Sequence, residues 1–299
     1  MLVGTPRRRG RLAGRPLRTG LLACLVALPL AGCINENREI AIGEQIASQV
    51  NSQVPLVGDV PLNLYVNDLG RLIARRSARP DLQYHFYIVN TPGINAFALP
   101  GGHIYVNRGL IERTGNVSEL AGILAHEIGH VAARHGAENL QRHMRTRSVA
   151  AVMYQLVLDR EPLLDQEALR LGGELWASSH SRADEAEADR LAVNYLVATG
   201  VDPRGMLSLF SELLKEEAQD PQAMAAADSW FSTHPATDAR MDATRAHIRQ
   251  VMATPMEREL ARNNESYAAF LRRLSALPPP MLGMQLPMGH PLRKGVDGE

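Results

Sequence analysis

Apolar residues recur along this chain at two spacings, and the changes between them divide it into helical and extended stretches. Between Arg38 and Val50 they fall at Ile42, Ile46 and Val50, and between Leu62 and Arg76 at Leu64, Leu69, Leu72 and Ile73. Steps of three and four residues are those of an amphipathic helix, and these two helices are expected to pack over a third, central one. From Leu82 to Val89 the pattern turns to aromatic and branched residues, and Ile94 to Leu99 and His103 to Val106 flank Pro100-Gly101-Gly102 as a hairpin. A small antiparallel sheet is predicted there. Helical spacing returns at 118–131, in 137–158 and 165–180, from Ser181 to Gly200, and near 203–218, 236–252 and 255–274. The stretch between the second and third of these carries Asp159, Pro162 and Asp165 and is a candidate lid. The fold class expected is α+β, mostly helical.

Composition changes this picture mainly at the ends. Arg7, Arg8, Arg9, Arg11, Arg15 and Arg18 precede a short apolar run, Leu21 to Leu30, which leads into Leu30-Ala31-Gly32-Cys33. That order resembles a bacterial lipoprotein signal peptide, residues 1–32, cleaved before Cys33, whose thiol then takes the lipid. The run is too short to cross a bilayer, which takes ~20 residues; a retained anchor helix is the lesser alternative. Ile34, where an aspartate could stand, is compatible with sorting to the outer membrane. The whole chain balances 32 basic and 32 acidic residues, but six arginines leave with the signal, so 26 against 32 gives a net charge of −6. No basic field suggests nucleic acid as a partner. Cys24 leaves with the signal and Cys33 is lipidated, so the remainder forms no internal disulfide. Residues 33–275 read as one domain without repeats. Its longest later apolar run, Val149 to Leu158, is again too short to span a membrane, so the domain is expected to be tethered by acyl chains. Pro278, Pro279, Pro280, Pro287 and Pro291 mark 276–299 as a flexible tail.

The chemistry centres on the third helix. Ser118 reads as its N-cap, and Leu120, Ile123, Leu124, Ile128 and Val131 make it apolar on most of its circumference, hence buried. Into that face are set His126, Glu127 and His130. Residues four apart on a helix lie about 40° from each other, so both imidazoles reach one metal, and Glu127, about 100° round from His126, can act on a water there without being a ligand. Two histidines and a glutamate lose several kcal/mol on leaving water unless they have partners, and a metal supplies them.

Zinc in a catalytic site takes three protein ligands and leaves a position open. A third histidine six residues past the second is excluded, because position 136 is Gly. His135, nine residues from His126, falls about 180° round a continuous helix. The helix from Ser181 offers the best source: its stripe of Ala188, Ala192, Tyr195 and Leu196 includes Glu185, with Asp189 at the edge and Glu187 about 200° away in solvent. Glu185 is therefore the expected third ligand. Asp189 is expected behind the metal site, accepting the free N–H of a ligand histidine and fixing its tautomer. His103, His143 and His180 read as surface residues.

With these residues, the run Asn95-Ala96-Phe97-Ala98-Leu99-Pro100-Gly101-Gly102 and the tripeptide Thr233-His234-Pro235, the chain resembles the gluzincin metallopeptidases. That family includes the type-1 CAAX prenyl proteases, the HtpX membrane proteases, and the periplasmic BepA and LoiP proteins. The landmarks follow the family's order over most of residues 36–250, and the layout is most like the LoiP-type lipoproteins. The resemblance implies a zincin-type domain with its sheet beside the active-site helix and one Zn²⁺ per chain. It implies that Asn95, Ala96, Phe97 and Ala98 form an edge to which an extended substrate adds as a strand. It places His234 near the metal, either donating to the tetrahedral oxyanion or, in a closed state, taking zinc's fourth position.

The reaction expected is zinc-dependent hydrolysis of peptide bonds inside an extended chain, with Glu127 as general base. The alternatives are a zinc-containing chaperone or binding lipoprotein with little turnover, and a hydrolase of cell-wall crosslinks. By resemblance, the substrates are unfolded or misassembled envelope proteins and the role is outer-membrane quality control. The enzyme would be lipid-anchored on the periplasmic face of the outer membrane, in reach of the assembly machinery.

Overall fold

The structure, a computed structural model, describes residues 34–142, 180–219, 230–235, 237–253 and 260–280, besides Met1. The signal sequence with Cys33, His143, the candidate lid, the helical readings at 143–158 and 165–179, and the tail from 281 lie outside the described residues.

Asn35 opens helix α1 (Glu36–Gln53), its side chain accepting from the Arg38 N–H at 2.9 Å. Ile46, Ala47 and Val50 of α1 pack on Phe97, Leu99 and Tyr105 of the sheet, and not on the central helix as expected. Helix α2 (Val60–Ala74) does reach the central helix, and its inner stripe is Leu62, Val66 and Ile73; Leu64 and Leu72 of the expected stripe are 56% and 50% exposed.

The sheet is mixed, which corrects the antiparallel expectation. Strands β1 (His85–Val89), β2 (Ala96–Leu99) and β3 (His103–Asn107) lie in the order β1-β3-β2, with β3 parallel to β1 and antiparallel to β2. The β2–β3 hairpin is present, pairing Phe97 with Tyr105 across a turn in which Gly101 and Gly102 take φ of 81° and 94°, angles that suit glycine. The hairpin enters the sheet with β3 inward, so β3 separates β1 from β2 and is buried along its whole length. His103 is buried with it, stacked on His85 at 5.0 Å, and is not the surface residue anticipated.

Short helix α3 (Arg108–Ile111) leads to the central helix α4 (Val117–Ala132). Its N-cap is Asn116, which accepts from the Glu119 N–H; Ser118 lies inside the first turn and donates to Asn116 Oδ1 at 2.6 Å. Helices α5 (Arg182–Thr199) and α6 (Arg204–Gln219) pack beside α4. Ser181 and Asp184 close a capping box on α5, and Gly200 ends it at φ 85°. A Cβ at Gly129 would stand 2.9 Å from the Ala188 carbonyl oxygen, so the absence of a side chain there lets α4 and α5 approach backbone to backbone. Residues 135–142 are also helical, and a single turn, α7 (Trp230–Thr233), then α8 (Asp238–Met252) and α9 (Glu265–Ser275) follow α6. The main core lies between the inner sheet face (Phe86, Ile88, Ile104, Val106) and α4 (Leu120, Leu124, Ile128).

Candidate active site

Helix α4 turns His126 and His130 to one point, and the close approach at Gly129 brings α5 to it from the other side. There Nε2 of His126 and Nε2 of His130 are 3.1 Å apart. Glu185 Oε1 lies 3.3 Å from His130 Nε2, and Oε2 lies 3.5 Å from His126 Nε2. His234, just past α7, completes the group: its Nδ1 is 3.2 Å from His126 Nε2 and 3.0 Å from Glu185 Oε1. All four side chains are buried, and their donor atoms lie within 4.8 Å of one another, a cluster able to hold a metal ion.

The surroundings fix which nitrogens face the centre. His126 Nδ1 stands 2.9 Å from Asp189 Oδ1, a close electrostatic contact that lacks hydrogen-bond alignment. His130 Nδ1 bonds His135 Nδ1 at 2.9 Å. With both Nδ1 atoms turned outward, the two Nε2 atoms converge with the Glu185 carboxylate and His234 Nδ1 on one point. A cation satisfies that arrangement, and imidazole nitrogens with a carboxylate oxygen suit zinc.

Glu127 fits the same reading. It is 1% exposed, and neither carboxylate oxygen has a hydrogen-bond partner among the described residues. The His234 imidazole stands beside it, with Nε2 3.6 Å from Glu127 Oε1. Burial raises the Glu127 pKa, against the pull of His234 and His126. An unpartnered buried carboxylate is destabilising unless it faces a ligand.

The charge pattern follows from burial opposed by specific partners. Burial would lower His126, but Asp189 and Glu185 overcome it and raise the ring to about 9. Burial and the neighbouring His126 push His130 well below the usual histidine value, even against Glu185. Burial would raise Asp189, but Arg240 and His126 hold it down at about 2. The three imidazoles in contact with Glu185 outweigh its burial and hold its pKa far below the carboxylate range.

Of the residues expected from sequence, His126, Glu127, His130, Glu185, Asp189 and His234 come together here. Glu187 faces solvent, as expected. Asn95, Ala96 and Phe97 are buried and Ala98 is partly exposed; β2, which begins just after Asn95, has one strand partner among the described residues and is the strand most closely packed on α4. Two expectations fail. His180 stacks on His130 with ring centres 3.9 Å apart, and burial lowers its pKa to about 3, so it belongs to the site's wall. His135 is not carried to the far side of α4, because the helix ends at Ala132 and a turn at Arg134 folds it back.

Arg240 of α8 was not foreseen. It is 8% exposed and grips Asp189 with two parallel bonds, Nε to Oδ2 at 2.7 Å and Nη2 to Oδ1 at 2.8 Å. Its Nη1 lies 2.5 Å from Glu185 Oε2 and donates to the carbonyls of His234 and Pro235. Thr244, one turn on, also donates to Asp189. The signal was present: Arg240, Thr244 and Ile248 share a stripe at four-residue steps, so the arginine stood on the apolar face.

A metal site carried by an H-E-x-x-H helix, with a glutamate from a second helix and a free buried carboxylate, defines the zincin class of metallopeptidase. Residues 62–248, well over half of the chain, match "Peptidase family M48". The chain belongs to that family of zinc metallopeptidases. It is similar to the beta-barrel assembly-enhancing protease of Yersinia pestis, 28% identical over 247 residues, 79% of this chain and 50% of the relative. The protein of the same name from Escherichia coli K12 is 29% identical over 223 residues, 72% of this chain and 44% of the relative. The mitochondrial metalloendopeptidase OMA1 of Schizosaccharomyces pombe is 32% identical over 183 residues, 60% and 51% respectively. The chain thus spans about half the length of the curated relatives it matches.

Proposed function

We propose that this chain is a zinc-dependent endopeptidase of the bacterial envelope. His126, His130 and Glu185 are its zinc ligands, and its substrates are unfolded or misassembled proteins. The observation that carries the reading is Glu127, a buried carboxylate without a partner beside a converging donor set. Bound zinc polarises the scissile carbonyl and makes a water acidic. Glu127 takes the proton of the attacking water and delivers it to the leaving amine. Asp189 orients His126, and Arg240 keeps Asp189 and Glu185 in register with it. Asn95 to Ala98 receive the substrate as an added strand, whose backbone bonds give affinity with little sequence preference.

Attachment through a lipid on Cys33, and a place in outer-membrane protein quality control, belong to the same proposal. The signal-like sequence supports the first, and the names of the bacterial relatives support the second. No helix among the described residues is long and apolar enough to cross a membrane.

His234 brings a second reading. Its Nδ1 lies among the other donors, which supports the closed arrangement over the oxyanion role and suits a latent enzyme or a zinc-holding chaperone alike. One experiment separates these: zinc content and cleavage of an unfolded protein, measured on the wild type, Glu127→Gln and His234→Ala. Glu127→Gln is expected to keep one zinc and lose about 10²–10⁴-fold in turnover. His234→Ala is expected to cleave faster than the wild type. A Glu127→Gln protein that cleaves at the wild-type rate would end the peptidase assignment, and zinc in all three with cleavage in none would favour the chaperone.

A further inference from the structure

His126 and His130 are held from behind in different ways. Asp189 faces Nδ1 of the first; Nδ1 of the second meets another imidazole, that of His135. His135 is 4% exposed, and its Nε2 points toward two carboxylates at the start of α5, 3.6 Å from Glu187 Oε2 and 4.0 Å from Asp184 Oδ1. If His130 Nε2 is to offer a lone pair to a metal, its Nδ1 must carry the proton and donate it. His135 Nδ1 must then be the acceptor, which leaves its Nε2–H directed at Glu187 and Asp184. With a metal on His130 Nε2, the three contacts select one tautomer of each ring.

The backbone is bent to make this contact. Arg134 is the one described residue other than glycine with a positive φ, 64°, a conformation that costs a non-glycine residue of order 1 kcal/mol. Three bonds fix it. Arg134 Nε donates to Glu39 Oε2 at 2.8 Å, and Nη2 to the Ile34 carbonyl at 2.5 Å. Glu39, 1% exposed, is held by Arg79, which also donates to the carbonyl of Val131 in the last turn of α4. A continuous α-helix would carry residue 135 away from His130; this turn sets it against the ring.

We propose that His135 is a positioning residue for the metal site, fixing the tautomer and orientation of His130 as Asp189 does for His126, and that Glu39 of α1 and Arg134 hold it there. The proposal rests on the metallopeptidase reading of the site. It gives α1, which contributes nothing to the donor set, a part in metal affinity.

The test is zinc affinity, measured by competition with a chromophoric chelator on the full chain carrying Glu127→Gln, so that no readout depends on turnover. Replacing His135 by Phe, which keeps the ring's bulk and removes the acceptor, is expected to weaken zinc binding about 10–100-fold. His135→Asn, whose Oδ1 can stand where Nδ1 does, is expected to recover most of that loss. Arg134→Gly keeps the turn and removes the bonds to Glu39 and Ile34; an intermediate loss is expected. Thermal melting of the metal-free proteins checks that each variant folds. If His135→Phe folds and binds zinc as tightly as its parent, or if His135→Asn binds no better than His135→Phe, the proposal is overturned while the metal site stands. A parent that takes up no zinc overturns both.

Discussion

At the scale of single residues, the site is a problem in buried charge. Glu127, Glu185 and Asp189 are three carboxylates at most 2% exposed, gathered around imidazoles. Arg240 is the permanent cation among them, and its guanidinium also lies 5.5 Å over the Phe210 ring. Removing one partner of a buried pair leaves the other uncompensated, at about 3–5 kcal/mol. Arg240→Met, which keeps most of the apolar stem, is therefore expected to destabilise the metal-free chain by about that amount, read as a lower urea midpoint with an unchanged slope. A loss below about 1 kcal/mol would mean that Arg240 is a bystander. Sequence reading found the carboxylates and missed their counter-ion for a definable reason. Glu185 announced itself by standing inside a stripe of alanines, whereas α8 is polar enough that one more arginine reads as solvated.

At the scale of elements, the sequence was legible wherever one period held. The helices around His126 and Glu185 were read from their apolar stripes, and the hairpin from Pro100-Gly101-Gly102, because each follows from local spacing or turn chemistry. What failed was what neighbours decide. The order β1-β3-β2 depends on which edge of the hairpin meets β1, and no feature of the strands' own sequences fixes that choice. Whether Leu64 or Leu62 faces inward depends on the rotation of α2 against Phe86, whose ring fills the space beside Gly70. The fate of His135 turned on one residue: a regular helix through 134 carries it away, and the left-handed Arg134 does not. That conformation depends on Glu39, 95 positions earlier in the chain, and so lay outside any local pattern.

At the scale of the whole molecule, the donors come from three separate stretches: α4, α5 and the loop after α7. Without a metal, Arg240 is paired with Glu185 and Asp189, but no single further group among the described residues ties the donor atoms of all three stretches together. A ligand that binds only the folded chain stabilises it by RT ln(1 + [L]/Kd), about 2.7 kcal/mol at a hundredfold excess over Kd. In a domain of this size each kcal/mol moves the melting temperature by about 2–4 °C. Stripping zinc with a chelator is thus expected to lower the melting temperature by about 5–11 °C, and restoring zinc to recover it. His130→Ala should melt at one temperature with or without chelator, since the metal no longer has its site. Glu127→Gln should respond to the chelator as the wild type does, because Glu127 serves the reaction and not the binding. If the wild type holds one zinc per chain and melts at the same temperature after its removal, then the metal does not tie these elements together. The joint convergence of α4, α5 and His234 would then be a property of packing alone, with Gly129 against Ala188 as its fulcrum.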